Sequence, residues 1–506
     1  MPTEAEFENF ARLYDQGAAQ VVSTRLVADL ETPVAAMLKL ARDERYSLLL
    51  ESVEGGAVRG RYSIIGLRPD IVWRVRDGKA EINRQALAKP DGPFTPLDEE
   101  PLTALRSLMT ESRIDLPRDL PPMSAGVFGY MGYDMVRLME RLPEPGPDVL
   151  GVPDAILVRP TVMAIFDAVK DEVTIVTPVF PKPGLSAKAA YAQAAERLAE
   201  VTASLDRHLD HGMRERCDAA AIAAPVSNTP PEEFKAMVRR AQDYILAGDI
   251  FQVVLSQRFE TAFSLSPFSL YRALRRVNPS PFLYFLNFED FSLIGSSPEI
   301  LVRVRDGKVT IRPLAGTRPR GATPAEDDAR AKELLADPKE RAEHLMLLDL
   351  GRNDVGRVAK IGSVTVTDQF ALEFYSQVMH IVSNVEGRLD ERYDAIAALV
   401  AGFPAGTVSG APKVRAMEII AELERDKRGP YAGCVGYFSA NGDMDTCIVL
   451  RTALVKDGKM YVQAGAGVVA DSDPEAELQE CVNKAKALFR AAEEAVRFAG
   501  EARMGQ

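Results

Sequence analysis

Near the C-terminus, Glu477, Glu480 and Lys484 stand at i, i+3 and i+7, a spacing that stacks all three on one face of a helix. Two carboxylates and an ammonium on one face can be an ordinary solvated stripe, or they can hold a divalent cation and an anion. The run just before them, Gly465-Ala466-Gly467, favours a ligand pocket, because residues this small let the backbone approach a bound molecule. Glu343 offers another carboxylate. On a helix it shares its face with Met346, Leu347 and Leu350, and a carboxylate there is costly to bury unless it is paired or binds a metal. A salt-bridged glutamate at the edge of that face is the plain alternative. Magnesium asks for carboxylate and water oxygens, with the substrate often supplying the rest. Two glutamates from different helices plus a substrate carboxylate would meet that demand. The loop from Gly406 to Lys413, Gly-Thr-Val-Ser-Gly-Ala-Pro-Lys, can hold an anion on its hydroxyls and helix N-terminal amides, or it can simply cap a helix. It is not a P-loop, because the G-x-x-x-x-G-K-[ST] spacing is absent.

Positioning these groups requires helices, and the periodicity predicts them at about 326–350, 411–425 and 474–497, with others at about 184–208, 230–247 and 390–401. Thr229-Pro230-Pro231-Glu232 has the spacing of a capping box, and Gly248 can end the helix it opens. An internal repeat organises the rest. Tyr62 to Ile82 aligns without a gap with Phe291 to Ile311, each passing through Arg-Asp-Gly-Lys (Arg76 to Lys79, Arg305 to Lys308). Asp-Gly between β-rich runs reads as a hairpin turn. Ala125-Gly126-Val127-Phe128-Gly129-Tyr130 matches Ala432-Gly433-Cys434-Val435-Gly436-Tyr437, and Ile156 to Arg159 matches Ile448 to Arg451. Between the copies, the stretch from Ala219 to Pro231 is rich in Ala and Pro and reads as a linker. The expectation is an α+β fold of two pseudo-duplicated halves, residues 1–225 and 226–506, with large antiparallel sheets, some of them shared, and helices packed on them. The blocks around Glu343, Gly406 and Gly465 occur only in the second half.

The 506 residues carry a net charge of −12 and are 46% hydrophobic. That is enough to bury a large core, and no basic run offers a nucleic acid or an anionic membrane a landing site. No stretch approaches the roughly 18 consecutive apolar residues of a membrane span, and the acidic N-terminus lacks the pattern of a signal peptide. Four cysteines (Cys217, Cys434, Cys447, Cys481) without C-x-x-C spacing suit a reducing, cytoplasmic setting. His208 and His211 form an H-x-x-H pair in a charged stretch with no ligand motif around it, and an exposed helix face is the better reading.

The block Asp349-Leu350-Gly351-Arg352-Asn353-Asp354, the loop from Gly406 to Lys413 and the segment from Gly465 to Lys484 resemble, in the same order, the signature segments of the chorismate-utilising enzymes. The resemblance extends over essentially the whole chain. It is most similar to the anthranilate synthase large subunits, and it implies their chemistry. Ammonia adds at C2 of chorismate as the C4 hydroxyl leaves, giving 2-amino-2-deoxyisochorismate, and loss of pyruvate then aromatises the ring. By that resemblance Glu343 and Glu480 bind Mg²⁺ with Glu477 beside them. Gly316, Thr317, Thr407, Tyr431, Arg451, Gly465, Ala466, Gly467 and Lys484 form the chorismate pocket, Glu299 is the general acid at C4, and His380 serves the pyruvate-elimination step. A raised-pKa carboxylic acid suits Glu299, because hydroxide is a poor leaving group. In the first half Glu299 is replaced by Asp70, so that half is expected to be non-catalytic.

Two positions bear on the nucleophile. Aminodeoxychorismate synthases, the alternative within the family, usually carry a lysine at the place of Ala315, and isochorismate and salicylate synthases one at the place of Gln252. Alanine cannot attack C2, and glutamine cannot activate water as that lysine does. Leu49-Leu50-Glu51-Ser52 and Asn278 to Leu283 resemble the family's tryptophan feedback site. It would comprise Glu51, Ser52, Pro281, Phe282 and Leu283, with Tyr437 and Cys447 as further contacts. Read by residues alone, Leu49 and Leu50 are a buried strand. No Cys-His amidotransferase motif follows the final helix, so the resemblance implies a separate glutamine amidotransferase subunit that supplies ammonia, in a heterotetramer.

Overall fold

The structure is a computed structural model that describes residues 4–41, 44–54, 58–209, 222–375 and 378–500. His211, Cys217 and the first residues of the expected linker, 219–221, lie outside the described residues. Strands joined in one antiparallel hydrogen-bonded network form the body, with helices packed on it. Both predicted hairpins form at their Asp-Gly pairs, where Asp77 and Gly78 take φ of 50° and 69° and Asp306 and Gly307 take 50° and 70°. Two consecutive positive φ values are what a tight turn between twisted strands requires.

The repeat appears as two corners. The long strand Val58–Arg76 pairs with Ser47–Glu54 near its start and with Lys79–Asn83 near its end. The register against Ala155–Asp167 shifts between Pro69 and Ile71, and such an irregularity bends a strand. In the second half the same path is split into Phe291–Ser297 and Ile300–Arg305. These pair with Thr452–Lys456 and Met444–Ile448 in turn. Asp70 and Arg159 therefore sit at one corner, and Glu299 and Arg451 at the other. Strands on either side of residue 225 pair directly: Ser47 to Ser52 opposes Phe282 to Asn287, and Gly126 to Met131 opposes Cys434 to Ser439. Leu48, Ile64, Tyr130, Tyr284, Leu293 and Val435 share one buried cluster, so apolar burial, the main favourable term in folding, also joins the two stretches.

The single helix expected at 326–350 is two, Pro324–Ala336 and Pro338–Gly356. Pro338 lacks the N–H a continuous helix needs, and Asp337 accepts from the amides of Lys339 and Glu340 to start the second helix afresh. That second helix packs on the strands Leu314–Pro319 and Val378–Arg388. The final helix, Pro474–Gly500, lies against the strand Lys459–Val468 and the helix Pro267–Val277. The latter was not expected, although Ser266-Pro267 is a cap-and-start pair and the Ser266 side chain does accept from the Ser269 amide.

Candidate active site

The second corner holds the groups that can move protons. Glu299 is 6% exposed, its backbone carbonyl taken by the Ile448 amide at 3.0 Å and its Oε1 accepting from the Thr407 hydroxyl at 3.3 Å. Burial pushes its carboxyl up to about 8, against the opposing pull of Thr407, the Leu314 amide, Arg451 and Lys484. The side chain is therefore a carboxylic acid at neutral pH. Arg451 sits beside it in the left-handed region, φ 47°. Burial lowers its guanidinium, opposed by Tyr375 and Glu299. Among the described residues no partner hydrogen-bonds that guanidinium, which leaves its fork of donors for an incoming anion.

His380, 2% exposed, comes from the strand Val378–Arg388. Its Nδ1 lies 3.0 Å from the Thr317 Oγ1 and 3.2 Å from the Gly316 carbonyl. A carbonyl only accepts, so Nδ1 carries the hydrogen and Nε2 presents a lone pair. Nε2 is buried without a partner. Burial first, and Arg451 second, depress the ring to about 4, so it is a neutral base. Gly316 takes φ +68°, and a Cβ there would come within 3.2 Å of the Glu340 carboxylate and of Ile381.

Strand Lys459–Val468 forms another wall. A Cβ on Gly465 would lie 2.7 Å from the Tyr431 hydroxyl, and one on Gly467 2.4 Å from the Gln252 Nε2. Ala466 between them is fully buried. Lys484 donates to the Gly465 carbonyl at 2.9 Å and pairs with Glu480 at 2.7 Å. Burial raises the carboxyl of Glu343, with Glu340 and Glu480 adding to it, while Gln252 Nε2 donates to its Oε1 at 3.2 Å. Burial also raises Glu477, with Glu480 adding to it and the Ser472 hydroxyl opposing both. Carboxylates from two helices thus converge, although among the described residues no three His, Cys, Asp or Glu side chains already form a metal cluster. Glu340 escaped the sequence reading. The signal was present: Glu340 and Glu343 repeat the i, i+3 spacing of Glu477 and Glu480, but the apolar-face argument singled out Glu343 alone.

The first-half corner is closed. Arg159 donates to both Asp70 oxygens, at 2.8 and 2.7 Å, and to the Ser112 hydroxyl at 3.3 Å. Elsewhere, strand pairing sets Ser52 opposite Phe282 and Glu51 opposite Leu283, next to Pro281. Tyr437 and Cys447 share a buried cluster whose rim includes Leu50 and Phe282. Glu51 is taken up internally, by Arg275 at 2.6 and 3.0 Å and by the Tyr271 hydroxyl.

Residues 65–490 match the family model described as chorismate binding enzyme. The chain is 59% identical over 499 residues, 99% of both chains, to anthranilate synthase component 1 of Cereibacter sphaeroides. It is 46% identical to that of Pseudomonas putida, over 96% of this chain and 97% of the relative. The crystal structure of anthranilate synthase component I from Streptococcus pneumoniae superposes with a TM-score of 0.75 at 37% identity, covering 92% of this chain and 99% of that one. The menaquinone-specific isochorismate synthase of Escherichia coli shares the fold, TM-score 0.70 at 20% identity over 96% of this chain and 99% of that one. On the family match and the full-length identities together, this chain belongs to the chorismate-binding enzymes, in the anthranilate synthase component 1 family.

Proposed function

We propose that this chain converts chorismate and ammonia into anthranilate, pyruvate and water, as the large subunit of an anthranilate synthase. The observation that carries the reading is the second corner, where a protonated Glu299, a neutral His380 with a free Nε2 and an unpaired Arg451 face one site. Arg451 and Lys484 hold substrate carboxylates. As ammonia bonds to C2, both ring double bonds shift, the C4–O bond breaks and Glu299 gives its proton to the departing oxygen, which leaves as water; the proton lost by the new C2 ammonium restores the Glu299 acid. His380 Nε2 then takes the proton from C2 of the aminated ring. The C3–O bond breaks, the ring becomes aromatic, and the departing enolpyruvate is protonated at its methylene carbon to give pyruvate, with His380 giving up the proton it took. Ala315 has no amine to attack C2, which disfavours the aminodeoxychorismate branch.

Glu343 and Glu480 fit Mg²⁺: they are oxygen donors on separate helices, and Glu480 lies near enough to help raise the carboxyls of both Glu343 and Glu477. The ion would supply positive charge opposite a substrate carboxylate. Ammonia comes from a separate glutamine amidotransferase subunit, in a heterotetramer in the cytoplasm. Tryptophan inhibits from the site formed by Glu51, Ser52, Pro281, Phe282, Leu283, Tyr437 and Cys447, supported by the pairing of Glu51 and Ser52 with Leu283 and Phe282 and by the cluster that Tyr437 and Cys447 share with Phe282. Calorimetry with tryptophan should show binding that Ser52→Phe abolishes; undiminished binding would refute the site. The main test is fluorescence of anthranilate formed by the purified chain with chorismate, ammonium and Mg²⁺, abolished by EDTA. Chorismate loss without anthranilate would move the activity to another branch of the family.

A further inference from the structure

His380 is fixed at one nitrogen, by Gly316 and Thr317, and that contact alone does not set the aim of Nε2. The opposite restraint comes from an unexpected place. The outer strand Thr365–Phe374 has no buried residue along its length, yet the next residue, Tyr375, is 7% exposed and enters the site wall. Its ring meets the His380 ring edge-on, centroids 5.5 Å apart and planes at 63°. Every polar part of Tyr375 is tied. Its N–H donates to the Val378 carbonyl at 2.8 Å, and its own carbonyl accepts from Arg320 at 2.7 Å. Its hydroxyl donates to Glu373 at 2.7 Å. Glu373 is in turn gripped by both ends of the Arg312 guanidinium and lies opposite His380 in the strand ladder. A ring held this firmly at the end of an exposed strand is not core filling.

We propose that Tyr375 is a positioning residue for the elimination step: anchored by the Arg312–Glu373 pair, its ring edge fixes His380 and keeps water away from the free Nε2. Because its hydroxyl is already given to Glu373, Tyr375 acts through His380 and donates no proton to the substrate. The charged groups facing the histidine are Arg451, Glu373 and Lys484, and Tyr375 packs on the ring itself. The role rests on the activity proposed above, and it assigns Tyr375 to the second chemical step alone.

The test follows chorismate consumed, 2-amino-2-deoxyisochorismate released and anthranilate formed, for the parent chain, Tyr375→Leu and Tyr375→Phe, with ammonium and Mg²⁺, from roughly pH 5 to 8. Tyr375→Leu should consume chorismate with KM within about two-fold of the parent while anthranilate falls about ten-fold or more and the aminated intermediate accumulates. Its acidic limb should move up toward the ordinary histidine value, because water readmitted beside the ring favours the charged form. Tyr375→Phe keeps the ring but loses its anchor, and should shift the same partition by about three-fold. If the leucine chain does not fold, the phenylalanine chain decides. An unchanged partition, or amination and elimination falling together, overturns the role. A parent chain that leaves chorismate untouched overturns the activity, and this role with it.

Discussion

In the first half of the molecule Arg159 grips Asp70 through Nε at 2.8 Å and Nη2 at 2.7 Å. At the matching corner of the second half, Glu299 accepts from Thr407 at 3.3 Å, and Arg451 stands beside it with no hydrogen bond to any described residue. The backbone paths are alike and the residue pair is nearly the same, an acid and an arginine. The difference lies in how far the acid is buried and what it touches. Asp70 keeps 22% of its side chain exposed and its charge is matched, whereas for Glu299 burial outweighs the pull of Thr407, the Leu314 amide, Arg451 and Lys484. A compensated pair becomes a structural tie. An acid left uncompensated in a dry site becomes a proton donor at neutral pH.

Removing the two arginines in turn should have the largest and most opposite effects. Arg451→Leu should lower kcat/KM for chorismate by about 100-fold or more, with little change in the urea unfolding midpoint, because no described residue takes a hydrogen bond from its guanidinium. Arg159→Leu should do the reverse. It strands Asp70 at a site where Arg159 is 10% exposed and should cost about 2–3 kcal/mol in urea denaturation, with kcat/KM for chorismate nearly unchanged. A large activity loss in Arg159→Leu would show that the first corner is not merely structural.

A smaller effect sharpens the comparison by pH. The Glu299 carboxyl rises from 4.5 to about 8 on folding, so the folded chain holds a proton that the unfolded chain releases. The stability this group contributes is fully present below 4.5 and is lost as pH rises through about 8. Glu299→Gln should flatten that part of the pH dependence, measured as urea midpoints across the window. A slope unchanged by the substitution would mean Glu299 is not the buried acid. The amination rate of the parent chain should likewise fall as pH rises through about 8.

The sequence carried the two hairpins, because Asp-Gly is a local instruction. It carried the small-residue wall too: at Gly465 and Gly467 a Cβ would press on a neighbour. Pro338 also announced the helix break, but the strong apolar periodicity through Leu347 and Leu350 concealed it. Pairing of Ser47 to Ser52 with Phe282 to Asn287 was beyond local reading, since nothing in either strand names its partner. Tyr375 was hidden for the same reason: its importance comes from the register that sets Glu373 opposite His380, not from its spacing.

Proton donation belongs to the second corner and not the first, and chorismate consumption by Glu299→Gln and Asp70→Asn, measured side by side, distinguishes the two. Glu299→Gln should lose about 100-fold or more in amination, with Asp70→Asn turning over chorismate nearly as the parent does. Equal losses in the two variants, or robust amination by Glu299→Gln, would contradict it.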